Sequence, residues 1–309
     1  MKGILVIALL ILDVVLFGQQ KQVCFTFDDL PVVNYGITDS TYQKDLFKKI
    51  ALSLKTNKIP AIGFVNEKKL YDNEGIIQYQ VDLLKYWIAS GLELGNHTYS
   101  HPDYNNVSFH DYTEDILKGE IIIRRILNEQ NKQVKYFRHP FLHVGNTKTK
   151  ADSLNEFLNK HRYSAAPVTI DNDDYLFALA YKRTKEKKDT ALMHQIGNDY
   201  IAYMEDKLKY YEMQSKNVFG RNIQQVLLLH ASWLNSDYLD SLIELYKANN
   251  YDFVSMDKAL EDPAFKTEVT VFGNKGLSWV DKCALSTGKQ SDIFQDDPST
   301  PDYIKKLAE

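Results

Sequence analysis

From Val23 onward, short apolar runs alternate with longer segments in which apolar residues recur every three or four positions. Val23–Phe27, Ala61–Val65, Leu92–Leu94, Tyr136–Arg138, Tyr163–Ile170, Val226–His230 and Asp252–Ser255 have the length and apolar content of strands. Between them, Thr41–Leu54 puts Leu46, Ile50 and Leu54 on one helical face. Ile76–Ser90 runs to a stop at Gly91, and Tyr112–Asn131 reads as one long amphipathic helix. Helices are also expected over Lys150–Lys160, Asp171–Tyr181, Asp189–Lys216 and Asp237–Ala248. This alternation predicts an α/β fold with a mostly parallel sheet or barrel and helices outside. One domain is expected over residues 21–266, with residues 267–309 as a C-terminal extension packed on the barrel.

In such folds reactive side chains gather at the carboxyl ends of the strands. Asp28-Asp29, His97, Arg138, Asp171 and His230 each follow an apolar strand. In His97-Thr98-Tyr99-Ser100-His101, the two imidazoles are four residues apart. On a helical turn that spacing puts both on one face, within reach of one ion. Asp29 is the natural third ligand, and two His with one carboxylate leave a coordination position for water. Zinc is the default cation, and cobalt, nickel or iron suit the same donors.

Adjacent carboxylates repel unless something separates their roles. A metal on Asp29 and Arg138 on Asp28 would do so; the alternative is a capping pair for the first helix. Asp171 and Asp174 can raise the pKa of His230 and keep it protonated as a general acid. The alternatives are a satisfied core histidine and an N-cap cluster.

The bulk composition excludes little. The chain has 309 residues, 44% hydrophobic and 25% charged, with a net charge of −4, so no broad basic surface for nucleic acid is expected. Cys24 and Cys283 are the only cysteines, too far apart for a local thiolate zinc site. An oxidising compartment would allow them to pair; simple burial of Cys24 is the alternative. Lys2, the apolar run Ile4–Phe17 and Gly18 read as a signal peptide over residues 1–20, which implies secretion to the periplasm, cell envelope or exterior. A buried N-terminal element is the alternative. No segment is long and apolar enough for stable membrane insertion, and the oligomeric state is not legible.

Taken together, these residues resemble the polysaccharide deacetylases with NodB homology, carbohydrate esterase family four. Thr26-Phe27-Asp28-Asp29 resembles the first family motif, His97-Thr98-x-x-His101 the second, Arg138-His139-Pro140-Phe141 the third, Asp171-x-x-Asp174-Tyr175 the fourth and Leu228-Leu229-His230 the fifth. The five occur in the family's order between residues 23 and about 256. The resemblance implies a distorted (β/α) barrel of about seven strands. It implies Asp28 as general base, Arg138 orienting it, and Asp29, His97 and His101 as ligands of one divalent metal. It further implies His230 as general acid tuned by Asp174, Leu228 lining the acetyl pocket, and the Phe141 N–H at the oxyanion. Tyr175 stands where the family usually has Trp, and is a substrate contact by the same analogy. Two positions depart from the pattern. Leu30, followed by Pro31, replaces a glycine after the paired Asp, and Leu142-His143 replaces a glycine after the third motif. The loops shaping the groove are therefore expected to differ, and His143 is a further candidate substrate contact.

The expected activity is metal-dependent hydrolysis of N-acetyl, or O-acetyl, groups from an acetylated polysaccharide or oligosaccharide. The alternatives are a metal-dependent C–N hydrolase on a non-sugar amide and an inactive glycan-binding domain. Retention of both a base and an acid argues against the last.

Overall fold

The computed structural model describes residues 20–288 and 294–309. The signal peptide expected over residues 1–20 therefore lies, but for its last residue, outside the described residues. The chain runs β1 (Lys21–Leu30), α1 (Ser40–Thr56), β2 (Ala61–Val65), a small hairpin of β3 (Tyr71–Asp72) and β4 (Gly75–Ile76), α2 (Gln78–Ala89) and β5 (Glu93–Asn96). Next come α3 (Phe109–Lys118), α4 (Ile121–Asn128), β6 (Tyr136–Phe137), α5 (Lys148–Lys160), β7 (Ser164–Ala165), α6 (Asp174–Glu186) and α7 (Thr190–Phe219). The last elements are β8 (Gln225–His230), α8 (Trp233–Ala248), β9 (Tyr251–Phe253), α9 (Met256–Ala259), α10 (Trp279–Ser286) and α11 (Asp302–Ala308).

Seven strands form one parallel sheet in the order β7-β6-β5-β2-β1-β8, with β9 on the start of β1. The sheet curls into a half-barrel with helices around it, as the strand–helix alternation predicted. Period-two alternation in β1 explains how the two faces are filled. Phe25 and Phe27 join the large cluster that packs sheet against helices, with Phe47 and Trp87. Cys24 faces the other way, into a smaller cluster with Ile62, Phe64, Tyr136, Ala166 and Val226 inside the curl. Thr26 and Asp28 follow Cys24 in phase, so the inner face of β1 turns polar as it approaches its carboxyl end.

Leu30, one of the two departures, stays in β1, fully buried. It fits because Gly63 faces it on β2: a Cβ at residue 63 would lie 2.0 Å from Leu30 Cδ1.

Two sequence expectations are corrected. The single helix over Tyr112–Asn131 is two, α3 and α4. Gly119 ends α3 with its Cα against the loop after β5, where a Cβ would sit 2.3 Å from the Thr98 carbonyl carbon. The buried Glu67 carboxylate then starts α4 by accepting the N–H groups of Ile122 and Ile123, both at 2.7 Å. The strand over Tyr163–Ile170 shrinks to Ser164–Ala165, because Pro167 has no N–H to continue the ladder. Beyond it only an isolated bridge joins Ile170 to Leu227 of β8.

Cys24 and Cys283 are buried free thiols, not a disulfide. In the C-terminal segment α10 packs on α7 and α11 on α6. Among the described residues, no helix is long and apolar enough to cross a membrane.

Candidate active site

The polar strand ends meet at one mouth of the half-barrel. Asp29 should point away from Asp28, because successive strand residues face opposite sides. It does not: the β1–β2 register shifts after Phe27, and Asp29 adopts φ 63°, in the left-handed region. The kink turns its carboxylate toward the loop after β5, where Oδ1 lies 3.8 Å from His97 Nε2 and 3.7 Å from His101 Nε2. The three ligand atoms all lie within 4.8 Å of one another.

His97 and His101 are not on a helical turn, as their spacing suggested. They sit on a loop in which Thr98 (φ 68°) and His101 (φ 59°) are both left-handed. Side-chain bonds hold that path: Thr98 N–H donates to Asn96 Oδ1 (2.7 Å), His101 N–H to Thr98 Oγ1 (3.0 Å), and Asp115 Oδ1 accepts from Tyr99 and Ser100 N–H (both 2.8 Å). His97 Nδ1 donates to the Arg138 carbonyl at 2.8 Å, which fixes the tautomer and leaves Nε2 with its lone pair toward Asp29.

The donor set suits a divalent cation. Burial lowers both imidazoles to a pKa of about 4, so both are neutral at pH 7. Burial opposes ionisation of Asp29, but Lys69 and the two histidines hold its carboxyl well below the usual range. Its Oδ1 is buried with no hydrogen-bond partner, an orphan that a cation would satisfy. Lys69 supports the kink by donating from Nζ to the Asp29 carbonyl at 2.6 Å.

Asp28, 4% exposed, has its carboxylate against Arg138, whose Nη1 is 3.3 Å from both carboxylate oxygens. Arg138 is fully buried and otherwise held by the Ala166 carbonyl (2.8 Å) and Thr26 Oγ1 (3.1 Å). Burial raises the Asp28 pKa, and Arg138 opposes that rise only in part. The pair is a carboxylate of strengthened basicity in a fixed orientation.

His230 ends β8 in register with Asp28. Its Nδ1 donates to Asp174 Oδ1 at 2.7 Å, and its backbone N–H to Asp174 Oδ2 at 2.8 Å. Asn235 Nδ2 braces both, at 2.8 Å from Asp174 Oδ2 and from the His230 carbonyl. Burial opposes protonation, yet the fully buried Asp174 carboxylate brings the His230 pKa to about 9. Asp171 makes no such contact: its Oδ1 accepts from Asn172 N–H, so Asp174 alone pairs with His230.

Leu228 and Tyr175 flank this region. Leu228 is 8% exposed, and the exposed Tyr175 ring lies 6.4 Å from the His230 ring. On the side of Asp29 and the two histidines, the Phe141 ring rests 4.4 Å from His101. Phe141 and Leu142 are consecutive left-handed residues (φ 56° and 55°), so the second departure puts a leucine where glycine would be unstrained.

Several supports are not legible in the sequence. Lys69 and Asn235 act through backbone carbonyls and a neighbour's carboxylate, which leaves no spacing signature. His143 Nδ1 pairs with Asp103 Oδ1 at 2.6 Å, joining the third-motif loop to the loop after His101. His139 is buried against Phe137, and burial lowers its pKa to about 3.

A family model described as polysaccharide deacetylase matches residues 18–157. That span holds Asp28, Asp29, His97, His101 and Arg138, and ends before Asp174 and His230. No curated protein matches the chain. Among solved structures, it is similar to a polysaccharide deacetylase from Bacillus cereus (17% identity over 82% of this chain and 97% of that one, TM-score 0.51). It is also similar to a CE4 family pseudoenzyme from Bacillus anthracis, in a mutant with restored enzymatic activity (16% identity over 78% of this chain and 68% of that one, TM-score 0.50). At these identities the likeness is one of fold. The family match over residues 18–157 and the shared half-barrel together support a polysaccharide deacetylase domain in this chain.

Proposed function

We propose that the chain hydrolyses acetyl groups, N-acetyl first, from a glycan of the cell envelope or surroundings. The observation that carries this reading is the pairing of two register partners, Asp28 braced by Arg138 and His230 braced by Asp174. Asp28 is a buried carboxylate of raised basicity, and His230 beside it is an imidazole kept protonated to about pH 9. A binding module needs neither.

Asp29, His97 and His101 would hold the cation, zinc by default, with cobalt, nickel or iron as alternatives. Bound there, it would supply Lewis acidity for the attacking water and the acetyl carbonyl. Asp28, fixed by Arg138, takes the proton of that water. The Phe141 N–H stabilises negative charge developing on the carbonyl oxygen. His230 donates its Nε2 proton to the departing sugar nitrogen, and Asp174 holds the resulting imidazole in position. Leu228 and Tyr175 border the acetyl methyl. The products are acetate and a free amine.

Acetate release from a panel of N- and O-acetylated glycans, alongside metal analysis, tests the reading. Activity that survives both Asp28→Asn and His101→Ala would overturn the mechanism. Activity confined to small non-sugar amides would replace the glycan by another amide. Full metal occupancy with no hydrolysis would leave a glycan-binding role.

A further inference from the structure

Two consecutive left-handed residues with side chains cost about 1 kcal/mol or more each, and persist only where surrounding contacts impose them. At Phe141 and Leu142 those contacts come from the C-terminal segment. Lys282 Nζ donates to the Leu142 carbonyl at 3.1 Å. The backbone at Gly276 lies directly on the turn: a Cβ there would sit 2.0 Å from the Phe141 carbonyl oxygen. The same segment is tied to both flanking loops. Asn105 Nδ2 donates to the Gly273 carbonyl at 3.4 Å, and Asn146 Nδ2 to Asn274 Oδ1 at 3.0 Å. It is anchored to the barrel where Trp279 N–H donates to the Val168 carbonyl at 2.6 Å.

We propose that residues 273–282 are a clamp that completes the catalytic site by holding the Phe141–Leu142 turn in its left-handed form, with Gly276 and Lys282 as positioning residues. The clamp fixes where the Phe141 N–H points and seats the Phe141 ring against His101. A segment that merely covered the barrel would not need a side-chain-free residue on the Phe141 carbonyl, nor an ammonium on the next carbonyl. The catalytic consequence rests on the deacetylase reading; the conformational one does not.

The test uses the full chain loaded with zinc, as wild type, Gly276→Ala, Lys282→Met and Lys282→Arg. Hydrogen exchange followed by mass spectrometry reads peptides over residues 139–144, with β1 peptides as control. Gly276→Ala and Lys282→Met are expected to speed exchange in the turn about tenfold while β1 and the metal content stay unchanged. On an acetylated glycan, kcat is expected to fall about tenfold or more, with KM within about twofold. Lys282→Arg is expected to restore both. Adding Leu142→Gly to Lys282→Met is expected to recover part of kcat, because glycine takes the left-handed form without the clamp. Unchanged exchange in the turn, or equal loosening of turn and β1, would overturn the clamp. If the turn loosens as expected but wild type releases no acetate from any glycan, the clamp stands and the deacetylase reading falls.

Discussion

Asp28 and His230 stand directly opposite each other in the register of β1 and β8, each braced by a buried partner of opposite charge. Arg138 holds the Asp28 carboxylate, and Asp174 holds the His230 imidazolium. Adjacent strands lie about 4.8 Å apart, so a proton donor and a proton acceptor flank the same small volume. Asp28→Asn preserves shape and removes the acceptor. It is expected to lower kcat by about 10²–10⁴ while the purified protein keeps the metal content of wild type, measured by elemental analysis.

In the proposed mechanism His101 serves the cation and not proton transfer. His101→Ala leaves Asp29 and His97, two donors in place of three. Zinc titration is expected to show affinity weakened by a factor of 100 or more, with acetate release falling in proportion to metal lost. Retention of stoichiometric zinc would remove His101 from the ligand set.

The alkaline limb of the pH–rate profile is expected to report His230. Its proton is present below about pH 9 and lost above it. Asp174→Asn removes the carboxylate that outweighs burial, so the limb shifts to lower pH. The same linkage acts on folding. A histidine raised in the folded state adds stability that is complete below its unfolded value, near pH 6.5, and disappears as pH rises through about 9. The Tm difference between wild type and Asp174→Asn should therefore narrow between pH 6.5 and 9.5.

Glu67 offers a second test of the same sign in a lower pH window, away from the chemistry. Burial raises its pKa to about 7, although Ile122 and Ile123 N–H donate to one oxygen. The folded chain thus binds this proton more tightly than the unfolded chain, whose value is near 4.5. Ionisation costs stability progressively from pH 4.5 to about 7. Glu67→Gln cannot titrate, so its Tm relative to wild type should rise across that window. Glu67→Ala, which uncaps α4, is expected to lose about 1–3 kcal/mol at any pH.

Much of the sheet was legible because its strands are apolar runs of ordinary length, and the polar residues ending them stood out against those runs. What the sequence hid was backbone conformation. The spacing of His97 and His101 was right for a shared ion but suggested a helical turn, whereas two left-handed residues and an asparagine bond produce the same convergence. The adjacency of Asp28 and Asp29 gave no hint that a kink would override strand alternation. The break between α3 and α4 depends on Glu67, more than fifty residues earlier, which no local pattern announces. Asp171 and Asp174 both belong to the fourth motif, and Asp174 alone pairs with His230, because only it sits on the first turn of α6 beside β8.

Asp29, Thr98, His101, Phe141 and Leu142 all hold backbone angles that glycine would adopt more comfortably. At Asp29 and His101 the strained residue is also a candidate cation donor, so glycine there would relieve the backbone and remove a donor together. Random variants screened for thermal survival alone should drift toward glycine at these two positions, and only a screen that also demands turnover will keep Asp29 and His101 in place.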